Sequence, residues 1–133
     1  MVVSVHTDGG ARGNPGPGAI GVVIKNEKKE KVREIGKFIG KSTNNEAEYK
    51  AVIEGLKACG EIGVEKAEFF IDSLLIVSQL NGNFKVKEPR MKSLFKEAKD
   101  VEKNIKLVKY THVKREKNSE ADKIVNDVLD SLE

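Results

Sequence analysis

The sequence has little of what staples or anchors a small protein. Its 133 residues include one cysteine, no tryptophan and three prolines. Cys59 alone excludes an internal disulfide and a cysteine-built zinc site. No apolar run is long enough for a membrane-spanning helix, so no membrane partner is expected. The first residues, Met1 to His6, lack the basic region and apolar stretch of a secretory signal, and a cytoplasmic protein is expected. There is no internal repeat, linker or low-complexity segment. One domain over residues 1–133, monomeric and with one core, is therefore the expectation. There is also no strong charge imbalance. The net charge of +3 suits a nucleic-acid partner without demanding one.

What is present is a clear succession of periodicities. Residues 2–7 read as a strand, and residues 9–18, dense in glycine and proline, as a loop. Residues 19–25 and 32–39 read as a hairpin around a charged turn. Residues 44–62 are helical in pattern, with Thr43 and Glu46 spaced as a capping box. A strand over 66–71 follows, then a short helix over 73–80 ended by Asn81-Gly82. A charged helix over 89–103 comes next, then a strand over 105–113 with Ile105, Leu107 and Val108 as its apolar residues. A closing helix over 119–132 shows Ala121, Ile124, Val125, Val128 and Leu132 as its buried stripe. The order βββαβααβα predicts an α/β fold, a mixed five-stranded sheet with helices packed on it.

Four carboxylates stand out against this frame. Asp8 and Asp72 each follow an apolar strand, and ligands gather at the ends of parallel strands. Either could instead serve a turn or cap a helix. Glu48 is more informative. At about 100° per residue it shares an arc with Val52, Gly55, Leu56 and Cys59. Glu46, Lys50, Glu54, Lys57 and Glu61 form a separate, charged arc. A carboxylate on the apolar side calls for a cation or strong donors, although a first-turn glutamate is also favoured by the helix dipole alone. Asp122 lies at the edge of the closing helix's buried stripe, in its first turn, where the helix dipole alone also favours an aspartate. Four acids on four elements repel one another unless cations neutralise them, and all-oxygen donors suit Mg²⁺ or Mn²⁺. A pair of such ions can clamp a phosphodiester.

These residues fall in blocks. Thr7-Asp8-Gly9-Gly10 with Gly13-Asn14-Pro15-Gly16-Pro17-Gly18-Ala19, Thr43-Asn44-Asn45-Glu46-Ala47-Glu48, Asp72-Ser73, and Asn118-Ser119-Glu120-Ala121-Asp122 together resemble the four blocks of type 1 ribonucleases H. They occur in order and span nearly the whole chain. The resemblance implies a ribonuclease H-like fold and an endonuclease that cuts the RNA strand of an RNA–DNA hybrid, leaving 5′-phosphate and 3′-hydroxyl ends. It implies that Asp8 bridges two metal ions, that Glu48 and Asp72 hold the ion on the leaving-group side, and that Asp122 holds the ion on the attacking-water side. It further implies that Asn14, Asn44 and Asn45 meet RNA 2′-hydroxyls and minor-groove edges, and that Thr43 meets a phosphate of the DNA strand. The 2′-hydroxyl is what distinguishes RNA, so such contacts answer a physical need.

The chain departs from many members of that family in two places. Where they carry a Gly-His loop, residues 114–117 form a shorter connection without histidine, as in a shortened form of the family. His112 just before it reads as a structural strand residue. Where they carry a basic protrusion, residues 81–91 are too few, leaving Lys85, Lys87 and Arg90 as a reduced basic patch. Gly16-Pro17-Gly18-Ala19-Ile20-Gly21 matches a dinucleotide fingerprint, but Val22-Val23-Ile24 follows, so no helix N-terminus is available for a pyrophosphate. Two other readings remain at this level. One is a related nuclease acting on double-stranded RNA or junction DNA. The other is a non-catalytic nucleic-acid-binding domain on the same fold.

Overall fold

The structure, a computed structural model, describes residues 1–132. The chain runs β1 (Val2–Ala11), β2 (Gly16–Lys25), β3 (Lys31–Ser42), α1 (Asn44–Ile62), β4 (Lys66–Ile71), α2 (Leu74–Leu80), α3 (Pro89–Glu102), β5 (Leu107–His112), a 3-10 turn (Arg115–Asn118) and α4 (Ser119–Asp130). The order of strands and α-helices is the one the periodicities predict. The five strands lie in the order β3-β2-β1-β4-β5. β1, β2 and β3 form an antiparallel meander, while β4 joins β1, and β5 joins β4, in parallel. Short turns permit the first pairings; helical crossovers are needed for the others. No helix among the described residues is long and apolar enough to cross a membrane.

Helix α1 begins where the capping box predicts. The Thr43 hydroxyl accepts the Glu46 N–H, and the Glu46 carboxylate accepts the Thr43 N–H. It stops at Gly63, whose φ of 82° is left-handed and whose N–H returns to the last turn. Between these caps, Val52, Leu56 and Cys59 are buried against β-strand residues that include Val3, Val5, Val22, Ile24 and Phe69. Each such side chain stabilises the fold by roughly 1.5–3 kcal/mol, so this side of the sheet carries most of the core energy. The opposite side, under α4, holds a much smaller buried cluster of Ala19, Val125 and Leu129, with Val128 beside it.

Three expectations are corrected. The stretch 9–18 is mostly strand, not loop: Gly9, Gly10 and Ala11 pair with Ile20, Ala19 and Gly18. Glycine here serves close packing rather than chain breaking. A Cβ on Gly9 would fall 2.3 Å from the Ala47 carbonyl, inside any allowed contact. Asp8 accordingly sits within β1. In β5, Leu107 faces solvent at 55% exposure, while Tyr110 is buried and Val108 half-buried. Pairing of Val108 with the buried Ala67 sets that alternation, and Ile105 is buried just before the strand begins. In α4 the buried stripe ends on Leu129; Leu132 lies past the helix and is exposed.

Candidate active site

Parallel pairing of β1 with β4 ends at Thr7 and Ile71. The next residue on each strand is a carboxylate, Asp8 on one and Asp72 on the other. Neighbouring strands run only about 5 Å apart, so the register alone brings these two acids together. The third acid arrives from α1. Glu48 Oε1 accepts the Gly9 N–H at 2.6 Å, a contact that is possible because Gly9 has no side chain in the way. Asp8, Glu48 and Asp72 each place an oxygen so that the three lie within 4.8 Å of one another.

Asp122 borders the same pocket but stands outside that three-carboxylate group. It is close enough for its charge to raise the pKa values of Asp8 and Asp72. Its helix is fastened to β1 by Asn118. The buried Asn118 side chain donates to the Thr7 carbonyl at 2.8 Å and meets His6 Nδ1 at 3.0 Å. Asparagine is a favoured N-cap, yet this one makes no side-chain cap and spends both amide ends on the strand that carries Asp8.

The electrostatics follow from burial. Asp8 and Glu48 are only 8% and 7% exposed. Burial pushes the Asp8 carboxyl up to about 7, and the charges of Asp72 and Asp122 add to it. Burial also raises Glu48 well above the ordinary range, helped by Asp8 and opposed by the Gly9 amide. Asp72 is raised by burial too, with Arg115 offsetting part of the effect. Glu48 Oε2 is buried with no hydrogen-bond partner. An orphaned buried carboxylate oxygen is costly, and three mutually destabilised acids with hard oxygen donors fit a divalent cation.

A second groove adjoins this pocket, with Asn44 and Asn45 bordering both. It is lined as well by Asn14 and Thr43, so all four residues expected to bind substrate are gathered there. Backbone hydrogen bonds hold two of them. Asn14 Oδ1 accepts the Asn44 N–H at 3.0 Å, and Asn44 Oδ1 accepts the Ala11 N–H at 2.9 Å. Of the reduced basic patch, Lys87 and Arg90 border this groove and Lys85 does not. Three residues of the site were not singled out from the sequence. Gly9 supplies a backbone donor, Arg115 from the 3-10 turn borders the carboxylates, and Gln79 lines the second groove. A signal existed for Arg115, one of three cations in the connection that lacks histidine. His112 ends β5, as expected.

Comparison with known proteins identifies the family. The family described as "Reverse transcriptase-like" matches residues 6–128. A bifunctional protein of Mycobacterium tuberculosis is 37% identical over 132 residues, covering 98% of this chain and 36% of that protein. The chain thus spans about a third of the length of its mycobacterial relatives. The crystal structure of ribonuclease H1 from the archaeon Halobacterium salinarum superposes with a TM-score of 0.96 at 36% identity, covering 98% of this chain and 99% of that one. LC11-RNase H1, isolated from compost by a metagenomic approach and solved with an RNA/DNA hybrid, gives a TM-score of 0.93 at 41% identity, with 98% of each chain covered. The fold is the ribonuclease H-like α/β fold, and the chain belongs to the type 1 ribonuclease H family.

Proposed function

We propose that this protein is an endonuclease that hydrolyses the RNA strand of RNA–DNA hybrids, leaving 5′-phosphate and 3′-hydroxyl ends. The observation that carries this reading is the convergence of Asp8, Glu48 and Asp72 oxygens within 4.8 Å beside an amide-lined groove. Asp8, Glu48, Asp72 and Asp122 would hold the ions, Mg²⁺ or Mn²⁺ and two per site. When bound, the ions supply activation of water and neutralisation of charge at the scissile phosphodiester. The Gly9 amide fixes Glu48 Oε1, which leaves Oε2 as the oxygen directed to a cation. Arg115 lends a positive charge on the side of Asp72, where a phosphate would approach.

Substrate selection falls to Asn14, Asn44 and Asn45, whose amides can meet 2′-hydroxyls and base edges in the shallow minor groove of a hybrid. Thr43 keeps its hydroxyl hydrogen available for a phosphate, since the cap uses only its acceptor. The hybrid bound to LC11-RNase H1 supports the same substrate here. Action as a monomer in the cytoplasm belongs to this reading, with double-stranded RNA as a further candidate partner. Labelled hybrid, double-stranded RNA and double-stranded DNA, each incubated with Mg²⁺, Mn²⁺ or chelator, test it. Metal-dependent cleavage confined mainly to the RNA of the hybrid is expected. Cleavage that persists in excess chelator, or a preference for double-stranded DNA, would overturn it.

A further inference from the structure

Gln79, in α2, is only 7% exposed, yet among the described residues one end of its side chain has no hydrogen-bond partner. Its Oε1 accepts the Tyr49 hydroxyl at 2.6 Å. Tyr49 is fully buried and its phenol is pushed upward by burial, so it stays protonated and requires an acceptor. Gln79 Oε1 is that acceptor. Turning the amide over would strand the phenolic hydrogen in the core, so Tyr49 fixes which end faces outward. Among the described residues Glu48 Oε2 is the sealed side-chain atom with no partner, so Gln79 Nε2 is not sealed. It opens into the groove lined by Thr43, Asn45 and Arg90.

That groove offers a phosphate several donors. Lys87 and Arg90 bring positive charge. Two carboxylates also border it and balance that charge, but each is turned to a cap: Glu46 accepts the Thr43 N–H and Glu88 accepts the Met91 N–H. The duplex has two backbones. If one lies along the carboxylates, the other must pass beyond Asn44 and Asn45, which divide the two grooves.

We propose that Gln79 Nε2 donates a hydrogen bond to a backbone phosphate of the uncut strand, with Tyr49 as the positioning residue that aims it. This rests on the reading of the site as one that cuts hybrids. It adds a neutral, directional donor to a groove whose formal charges balance.

The test is hybrid binding by fluorescence anisotropy in an Asp8→Asn background with Mg²⁺, alongside kinetics in the otherwise native protein. Gln79→Glu keeps the acceptor for Tyr49 but removes the donor, so it should fold normally and weaken binding by about tenfold or more. Gln79→Leu should weaken it by about fivefold and Tyr49→Phe by less, with KM rising more than kcat falls in each. A single uncharged methylphosphonate is then walked along each strand. One linkage of the DNA strand should weaken native binding, and Gln79→Leu should be nearly blind to it. Native affinity in Gln79→Glu, a sensitive linkage confined to the RNA strand, or simple addition of the two losses would each overturn the proposal. If the native protein cuts no hybrid while the linkage effect holds, the nuclease reading fails and the Gln79 contact stands.

Discussion

The two faces of the sheet hold their helices by different means. Under α1 the contact is deep and apolar, with Val5, Val22, Ile24 and Phe69 sealed against Val52, Leu56 and Cys59. Under α4 it is thin. Ala19, Val125 and Leu129 make a small cluster, Ile124 and Val128 rest on Gly21 and Gly36, and the remainder is close backbone approach and surface ion pairs. A Cβ on Gly21 would lie 2.4 Å from the Ala121 carbonyl. Lys25 pairs with Glu120 and Arg12 with Asp130, and such exposed pairs contribute at most about 1 kcal/mol each. Glu48 therefore rides on an embedded helix, and Asp122 on one that is held lightly and depends on the Asn118 clamp. The site is assembled from a fixed part and an adjustable part.

The largest expected effect comes from removing a carboxylate of the fixed part. Asp8→Asn or Glu48→Gln should lower turnover by more than the roughly 10–100-fold typical of residues that merely support a metal site. The circular dichroism spectrum should not change. Native cleavage rates in either variant would remove these acids from the chemistry. Next come the glycines, which set the two faces against each other. Gly9→Ala forces a side chain into α1, which cannot retreat, and should cost about 3 kcal/mol or more in urea unfolding. Gly21→Ala pushes on α4, which can retreat. It should cost only about 1–2 kcal/mol while turnover falls disproportionately as Asp122 shifts. Equal stability losses, with activity following stability in both, would show that the faces do not differ.

Much of the fixed part was legible in the sequence. The capping box announced the start of α1, and the helical arc separated Glu48 from Glu46. The motif blocks placed all four acids. What was hidden depends on partners distant in sequence. Gly9 and Gly10 look like chain breakers until Ala47 is seen pressing on the strand. Leu107 looks like a core residue until pairing with β4 sets the alternation. Gln79 is an unremarkable polar residue on a short helix until Tyr49, thirty positions earlier, fixes its orientation.

A smaller effect concerns pH. The Asp8 carboxyl titrates near 7 in the folded protein against 3.8 when free. A raised acid binds its proton more tightly when folded, so its contribution is fully present below the unfolded value and lost as pH rises through the folded one. The metal-free protein should therefore lose melting temperature between about pH 4 and 7, relative to Asp8→Asn measured alongside. Added Mg²⁺ should raise the melting temperature little at pH 5 and most above pH 7. A Mg²⁺ effect independent of pH would separate the acid cluster from metal binding. Smallest of all should be Glu46→Gln, whose side chain serves the cap on the charged arc. Its cost should stay below about 1 kcal/mol, with turnover nearly native. If it were inactive, the register of α1 would be wrong.

The outer strand β3 has a consequence for company rather than catalysis. It lies at one end of the sheet, with one side unpaired, and an unpaired strand is a template on which a second molecule can add its own. Here the template is spoiled. Its Lys31, Lys37 and Lys41 are exposed, and irregular pairing against β2 interrupts its register in two places. A strand approaching from a second copy would meet ammonium groups and a discontinuous line of carbonyls. Runaway stacking of copies is thereby discouraged.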